Sequence, residues 1–223
     1  QPRPLARMVQ LGAPIGIQFW LEFGAFGAIG ILMGWMGANA MAGHQVAMNL
    51  ASLTFMVPLG ISQATAVMVG QGVGRGDPPA ARRAAGAGLA LGTGFMAVTA
   101  ALFLLVPHLF ARIYTDELHV AALAALLLPL AGIFQIFDGV QVVASGVLRG
   151  IGDTRSPMLV NLLGFWCVGL PVSAWFGFRR GLGPVGLWWG LVMGLAVVAV
   201  VLLFRVRFRL GANIRRIVME DGE

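Results

Sequence analysis

The sequence has no lysine, a single cysteine and only nine acidic residues among 223. Charged residues make up 11% of it, where an ordinary soluble domain carries about 25%. Apolar residues reach 58%, more than a water-soluble fold of this size can hide. Lipid is therefore the solvent for most of these side chains. Cys167 stands alone in an apolar run, so it forms no intrachain disulfide, and a metal site needs a cluster. HExxH, GxSxG and cysteine-cluster patterns are all missing, which leaves an intramembrane enzyme without support. No secretory signal pattern opens the chain. It starts at Gln1, not at methionine, and is expected to be cut from a longer polypeptide.

What the chain has in place of lysine is fifteen arginines, giving a net charge of +6. They sit at the ends of apolar runs and form no stripe interleaved with aromatics, which argues against a nucleic-acid partner and for a membrane surface. Six runs are long enough to span a bilayer, at roughly 20 apolar residues each. They cover approximately residues 11–35, 44–69, 84–106, 118–147, 157–178 and 184–204. Six spans place Arg3, Arg7, Arg75, Arg82, Arg83, Arg149, Arg155, Arg205, Arg207, Arg209, Arg215 and Arg216 on one side. Only Arg112, Arg179 and Arg180 fall on the other, so the first side, with both termini, is expected to be cytoplasmic.

The punctuation between spans is consistent with this reading. Asp77 ahead of Pro78-Pro79 is a helix cap followed by prolines at the first helical positions. Ser156-Pro157 suggests the same device, Thr115-Asp116-Glu117 a third start, and Gly181 to Pro184 a break. Glycine is abundant at 32 residues, often four apart, as at Gly12/Gly16, Gly30/Gly34, Gly88/Gly92 and Gly186/Gly190/Gly194. Such faces let helices approach closely in lipid. Trp35, Trp175, Trp188 and Trp189 fall near span ends, where indoles anchor at the interface. The glycine-rich stretch from Gly70 to Gly76 follows a membrane helix, not a strand, so it is not a nucleotide loop.

Seven of the nine acids lie in loops or the C-terminal tail. Glu22 and Asp138 do not: they fall deep inside the first and fourth spans. A carboxylate at mid-membrane costs about 2.5–3.5 kcal/mol on insertion scales and marks a functional site by default. Gln18 lies one turn before Glu22, while Gln135 and Gln141 flank Asp138 at three residues on either side, so each acid belongs to a polar stripe. Either acid could exchange a proton or help coordinate a hard cation such as Na⁺. A protonated acid hydrogen-bonded between helices is the purely structural alternative. Asn49 is a further polar candidate, Asn161 reads as interhelical glue and His44 as an interfacial residue. Phe19, Phe23, Phe134 and Phe137 could offer cation–π surface to a substrate.

The segments Leu11-Gly12-Ala13-Pro14, Gly43-His44-Gln45-Val46-Ala47-Met48-Asn49, Phe137-Asp138-Gly139-Val140-Gln141 and Leu148-Arg149-Gly150-Ile151-Gly152-Asp153-Thr154 resemble the C-terminal half of the multidrug and toxic compound extrusion (MATE) family, nearest its bacterial NorM-like branch. The resemblance covers essentially the whole chain. It implies an all-α integral membrane protein, one six-helix lobe of a twelve-helix, two-lobe transporter in the bacterial plasma membrane. It also implies export of small cationic amphipathic compounds in exchange for H⁺ or Na⁺ with no other cofactor, and an N-terminal lobe as partner. Glu22 and Asp138 match the family's cation-binding positions. Some Na⁺-coupled members have a tyrosine one turn before the aspartate; Phe134 stands there, which favours H⁺. A flippase of related fold would line its cavity with cations, a half-transporter subunit would need a second lobe, and a scaffold subunit would leave the two acids unexplained.

Overall fold

A computed structural model describes the backbone of residues 2–211 and the side chains from residue 8 onward. The side chains of Arg3 and Arg7, and all of Arg215 and Arg216, lie outside the described residues. The described chain is all helix: α1 (Pro2–Trp35), α2 (Ala38–Gly74), α3 (Pro78–Leu105), α4 (Pro107–Tyr114), α5 (Leu118–Ile151), α6 (Arg155–Arg179) and α7 (Gly183–Gly211). All but α4 are long and apolar enough to cross a membrane. At 37 and 34 residues, α2 and α5 exceed that need, so they tilt or project. The short α4 begins at Pro107, whose missing N–H costs nothing at a first helical position. Hydropathy alone reads that stretch as mere connection.

The starts of the helices follow local chemistry, with two departures from the sequence reading. Asp77 caps α3, its side chain accepting the Ala80 N–H at 3.0 Å. At α6 the capping oxygen is not on Ser156. Asp153 supplies it, accepting the Ser156 N–H at 3.2 Å, because Gly152 (φ 89°) turns the chain sharply after α5. Thr115 accepts the Glu117 N–H and braces the turn ahead of α5; it does not cap the helix itself. Within α6 the helix widens to i→i+5 turns at Leu162–Gly169 and Trp175–Arg179, on either side of Pro171, which has no N–H to give.

The hub is α5, packed against α2, α3, α4 and α7. Small residues make that closeness possible. A side chain at Gly146 would strike Ser62 of α2 at 2.5 Å, and one at Gly92 would strike Val143 at 2.6 Å. One at Gly194 would meet Gly169 of α6 at 2.7 Å. The ladder Gly186/Gly190/Gly194 is thus the α6–α7 seam, as its spacing suggests. Most glycines of α1 behave differently: Gly12, Gly16, Gly27 and Gly34 face open space, while Gly24 lies close to Trp166 of α6. Trp188 also departs from expectation, since it is fully buried, whereas Trp35, Trp175 and Trp189 are exposed. By contrast, α1 leans on α2 and α6 and meets α5 mainly through side chains. An opening therefore persists between α1, α2 and α5.

One end of the bundle is tied by arginines. Arg205 donates through Nε and Nη2 to Asp153 Oδ2 at 3.1 and 3.0 Å, and Arg209 Nε lies 3.4 Å from the same oxygen. Arg82 Nε donates to the Leu210 carbonyl at 2.7 Å. The α5–α6 turn, the start of α3 and the end of α7 are thereby held together. Burial pushes the Asp153 carboxyl up, but hydrogen bonds from Ser156 and Arg205 outweigh it and hold the group below the usual carboxylate range. Its stabilisation is therefore complete above the ordinary aspartate value of about 3.9 and fades as pH falls further, through the native value. Asp153→Asn is expected to cost about 1–2 kcal/mol at pH 7. Thermal unfolding of the detergent-solubilised protein should show that cost at neutral pH, with the gap to wild type closing below about pH 4.

Candidate functional site

The opening between α1, α2 and α5 is a cavity of about 810 Å³. Its walls are mostly apolar, with five phenylalanines and three methionines prominent: Phe19, Phe23, Phe26, Phe55 and Phe134, with Met41, Met48 and Met56. Aromatic faces attract organic cations, and methionine adapts to ligands of varied shape. Glu22 and Asp138 reach this cavity from α1 and α5, 7% and 6% exposed respectively. Both line the same cavity, and among the described residues no arginine lines it with them. Two carboxylates thus share a mostly apolar chamber that no arginine lines among the described residues, a costly placement for uncompensated negative charge.

Neutral oxygens stand behind the acids. The Gln141 side chain lies against Glu22, and its Nε2 donates to Asn161 Oδ1 at 3.4 Å. Gln18 Nε2 donates to Ser145 Oγ at 3.5 Å. The Oε1 atoms of Gln18 and Gln141 are buried and accept no hydrogen bond from the described residues. Neither glutamine lines the cavity itself; both stand on the polar faces of α1 and α5 that carry the acids.

The structure sorts the other sequence candidates. Asn49 is exposed and lines the cavity, as do Phe19, Phe23 and Phe134. Phe137 does not line it; half-buried, it packs against the hydrophobic core. Gln135 is also elsewhere. It accepts from Thr99 at 2.7 Å and donates to Thr54 at 2.6 Å, clamping α3 and α2 to α5. It lies three residues before Asp138 and so about 60° around the helix, enough to face different neighbours. His44 is not at an interface but buried, edge-on to Trp188 at 5.8 Å, and lines the cavity. Trp188 continues through Phe134 (6.1 Å) to Phe26 (5.8 Å) and Phe165 (5.7 Å), a run of aromatic edges that backs the chamber.

Sequence reading missed Arg149 by counting it among the loop arginines. It sits in the last turn of α5 and is half-buried. Its Nη2 donates to Ser62 Oγ at 3.0 Å and its Nε to the Ser145 carbonyl at 3.3 Å, and its guanidinium stands 5.9 Å from the Phe19 ring centre. It lines a second cavity of about 570 Å³ with Gln63, Gln71 and the other side of Phe19. A signal was present: Asp138, Gln141, Ser145 and Arg149 recur at intervals of three, four and four, one continuous helix face.

A bundle of membrane-crossing helices around a chamber with buried acids is the kind of architecture on which secondary transporters are built. The chain belongs to the MatE family, whose sequence profile matches residues 14–175. It is 45% identical over 210 residues to the multidrug resistance protein NorM of Burkholderia vietnamiensis, covering 92% of this chain and 46% of that protein. It is 47% identical over 205 residues to the probable multidrug resistance protein NorM of Rhodopseudomonas palustris, covering 90% and 43%. The chain thus spans about half the length of the curated relatives it matches. A crystal structure of MATE in a straight conformation superposes with a TM-score of 0.88 at 19% identity, over 96% of this chain and 48% of that one. The eukaryotic MATE transporter AtDTX14 gives 0.84 at 23%, over 93% and 50%. The fold is therefore that of one half of a MATE transporter.

Removing the Gln135 clamp should weaken the bundle without touching the chamber. Gln135→Ala is expected to cost about 1–2 kcal/mol by removing the inter-helix partner of two threonine hydroxyls, Thr99 buried and Thr54 half-buried, and leaving them only carbonyls of their own helices. Asn49→Ala, on the open wall, should stay within about 0.5 kcal/mol of wild type. Thermal unfolding of the two variants in detergent makes the comparison.

Proposed function

We propose that this chain forms the C-terminal lobe of a cation-coupled exporter of cationic amphipathic compounds, working by alternating access with an N-terminal six-helix lobe. The single observation that carries this reading is the pair Glu22 and Asp138, buried at a mostly apolar, phenylalanine-rich cavity with no arginine lining it among the described residues. Such a chamber suits an organic cation through its rings and a small cation through its acids. The family's NorM members bear multidrug resistance names, in keeping with such substrates. Phe134 offers no hydroxyl to a metal ion, which favours H⁺ over Na⁺ as the coupling ion.

In this mechanism the coupling cation occupies Glu22 and Asp138 from the outer side and relieves their mutual repulsion. Occupancy favours the state that releases the organic compound outward; loss of the cation to the inner side resets the lobes. The membrane potential contributes about 2.3 kcal/mol per charge per 100 mV. The protein then lies in the plasma membrane with Arg75, Arg82, Arg83, Arg155, Arg205, Arg207 and Arg209 at its cytoplasmic face and Arg112, Arg179 and Arg180 outside.

Efflux of a fluorescent cationic dye by the full-length protein tests the proposal. Glu22→Gln and Asp138→Asn should each slow export about tenfold or more, equivalent to roughly 1.4 kcal/mol, and flatten its dependence on the coupling ion. Export that keeps both its rate and its ion dependence in the two variants would refute the mechanism.

A further inference from the structure

Arg149 has no carboxylate partner among the described ion pairs, which are Arg205–Asp153 and Arg209–Asp153. It is nonetheless held firmly, tethered to Ser62 of α2 and to the Ser145 carbonyl. Side chains on a helix lean toward its N-terminus. The Ser145 bond shows that lean here: it draws the guanidinium back one turn along α5, toward Gln141 and Glu22. Ser145 also receives the Gln18 amide, one turn from Glu22 on α1. Phe19 completes the arrangement. Its ring is a shared wall, with Glu22 in the cavity on one side and Arg149 in the cavity on the other. Arg149, 5.9 Å from the ring centre, and Glu22, three residues along α1 from Phe19, are thus neighbours of the same ring.

We propose that Arg149 sets the affinity of the Glu22 site for its coupling cation, acting as a fixed positive charge behind Phe19 against which every incoming cation competes. The inference rests on the reading of Glu22 as a cation site. Its physical logic is that of release. Two buried carboxylates in an apolar chamber would hold a cation too strongly to let it go within a transport cycle. A tethered guanidinium nearby weakens that hold while staying out of the chamber, where it would repel the organic cation. Arg149 is thus a positioning charge and touches neither substrate nor ion.

The test uses the full-length protein in proteoliposomes, with dye export measured across pH and Na⁺ series. Arg149→Gln should lower the half-saturating concentration of the coupling cation about fivefold, as removal of one charge across a partly screened protein interior implies. Arg149→Lys keeps the charge and should behave like wild type. Gln63→Glu places a carboxylate in the arginine's own cavity and leaves both tethers in place. It should shift half-saturation in the same direction as Arg149→Gln, and it decides the matter if that variant does not reach the membrane. Unchanged half-saturation in Arg149→Gln or Gln63→Glu would overturn the proposal. So would an Arg149→Lys shift as large as that of Arg149→Gln, because the tethers, not the charge, would then be responsible. Glu22→Gln measured alongside separates the two readings. If its cation dependence survives, the cation-site reading falls and this inference with it; if it is lost while the Arg149 and Gln63 variants stay at wild-type values, only the role of Arg149 falls.

Discussion

Two carboxylates must be kept inside a membrane-embedded bundle, in a shared chamber that no arginine lines among the described residues, and much of the structure answers to that constraint. Glu22 and Asp138 line the same cavity and are almost cut off from solvent. Elsewhere in the protein a buried acid is neutralised directly: Asp153 has two arginines. The chamber acids have amides and, on the far side of a phenyl ring, one guanidinium. The same residue type is thus settled at one end of the bundle and left unsettled in its middle. That contrast separates an anchor from a site.

The anchor and the site share α5. Its one face runs from Asp138 through Gln141 and Ser145 to Arg149, and the turn that follows, Gly150 to Thr154, delivers Asp153 to the arginines of α7. The run Leu148 to Thr154 therefore has a physical reading in this molecule. Gly150 lets α5 press against the backbone of α2, Gly152 supplies the left-handed turn, and Asp153 both caps α6 and fastens α7. With its dense small-residue contacts to α2 and α3, α5 is the rigid reference of the fold. By comparison α1, with four of its glycines facing open space, is loosely seated. The chamber lies between the fixed helix and the looser one.

Much was legible in the residues. Membrane immersion follows from composition, and the six spans from hydropathy, because lipid leaves few alternatives for an apolar stretch of twenty residues. The buried acids stand out for the same reason, since a charge in a greasy span is too costly to be incidental. Partners across helices were less legible. Gln135 and Gln141 both flank Asp138 by three residues, yet one clamps threonines on α2 and α3 and the other lies against Glu22. His44 and Trp188 read as interfacial from their position near span ends, but the tilt and length of the helices bring them together in the interior.

The sequence by itself determined that this chain lives in lipid, which six of its segments are apolar enough to cross, and which two side chains are out of place there. Each of these is a property of single segments, set by the transfer free energy of residues into hydrocarbon. Only the tertiary structure decided that both acids share one chamber, that Gln135 belongs elsewhere, and that an arginine at the end of α5 turns back toward them. Those outcomes depend on which helix faces which. Close approach at Gly92, Gly146 and Gly194, and the lack of it along α1, govern that choice, and periodicity within one helix carries no information about what its neighbour presents.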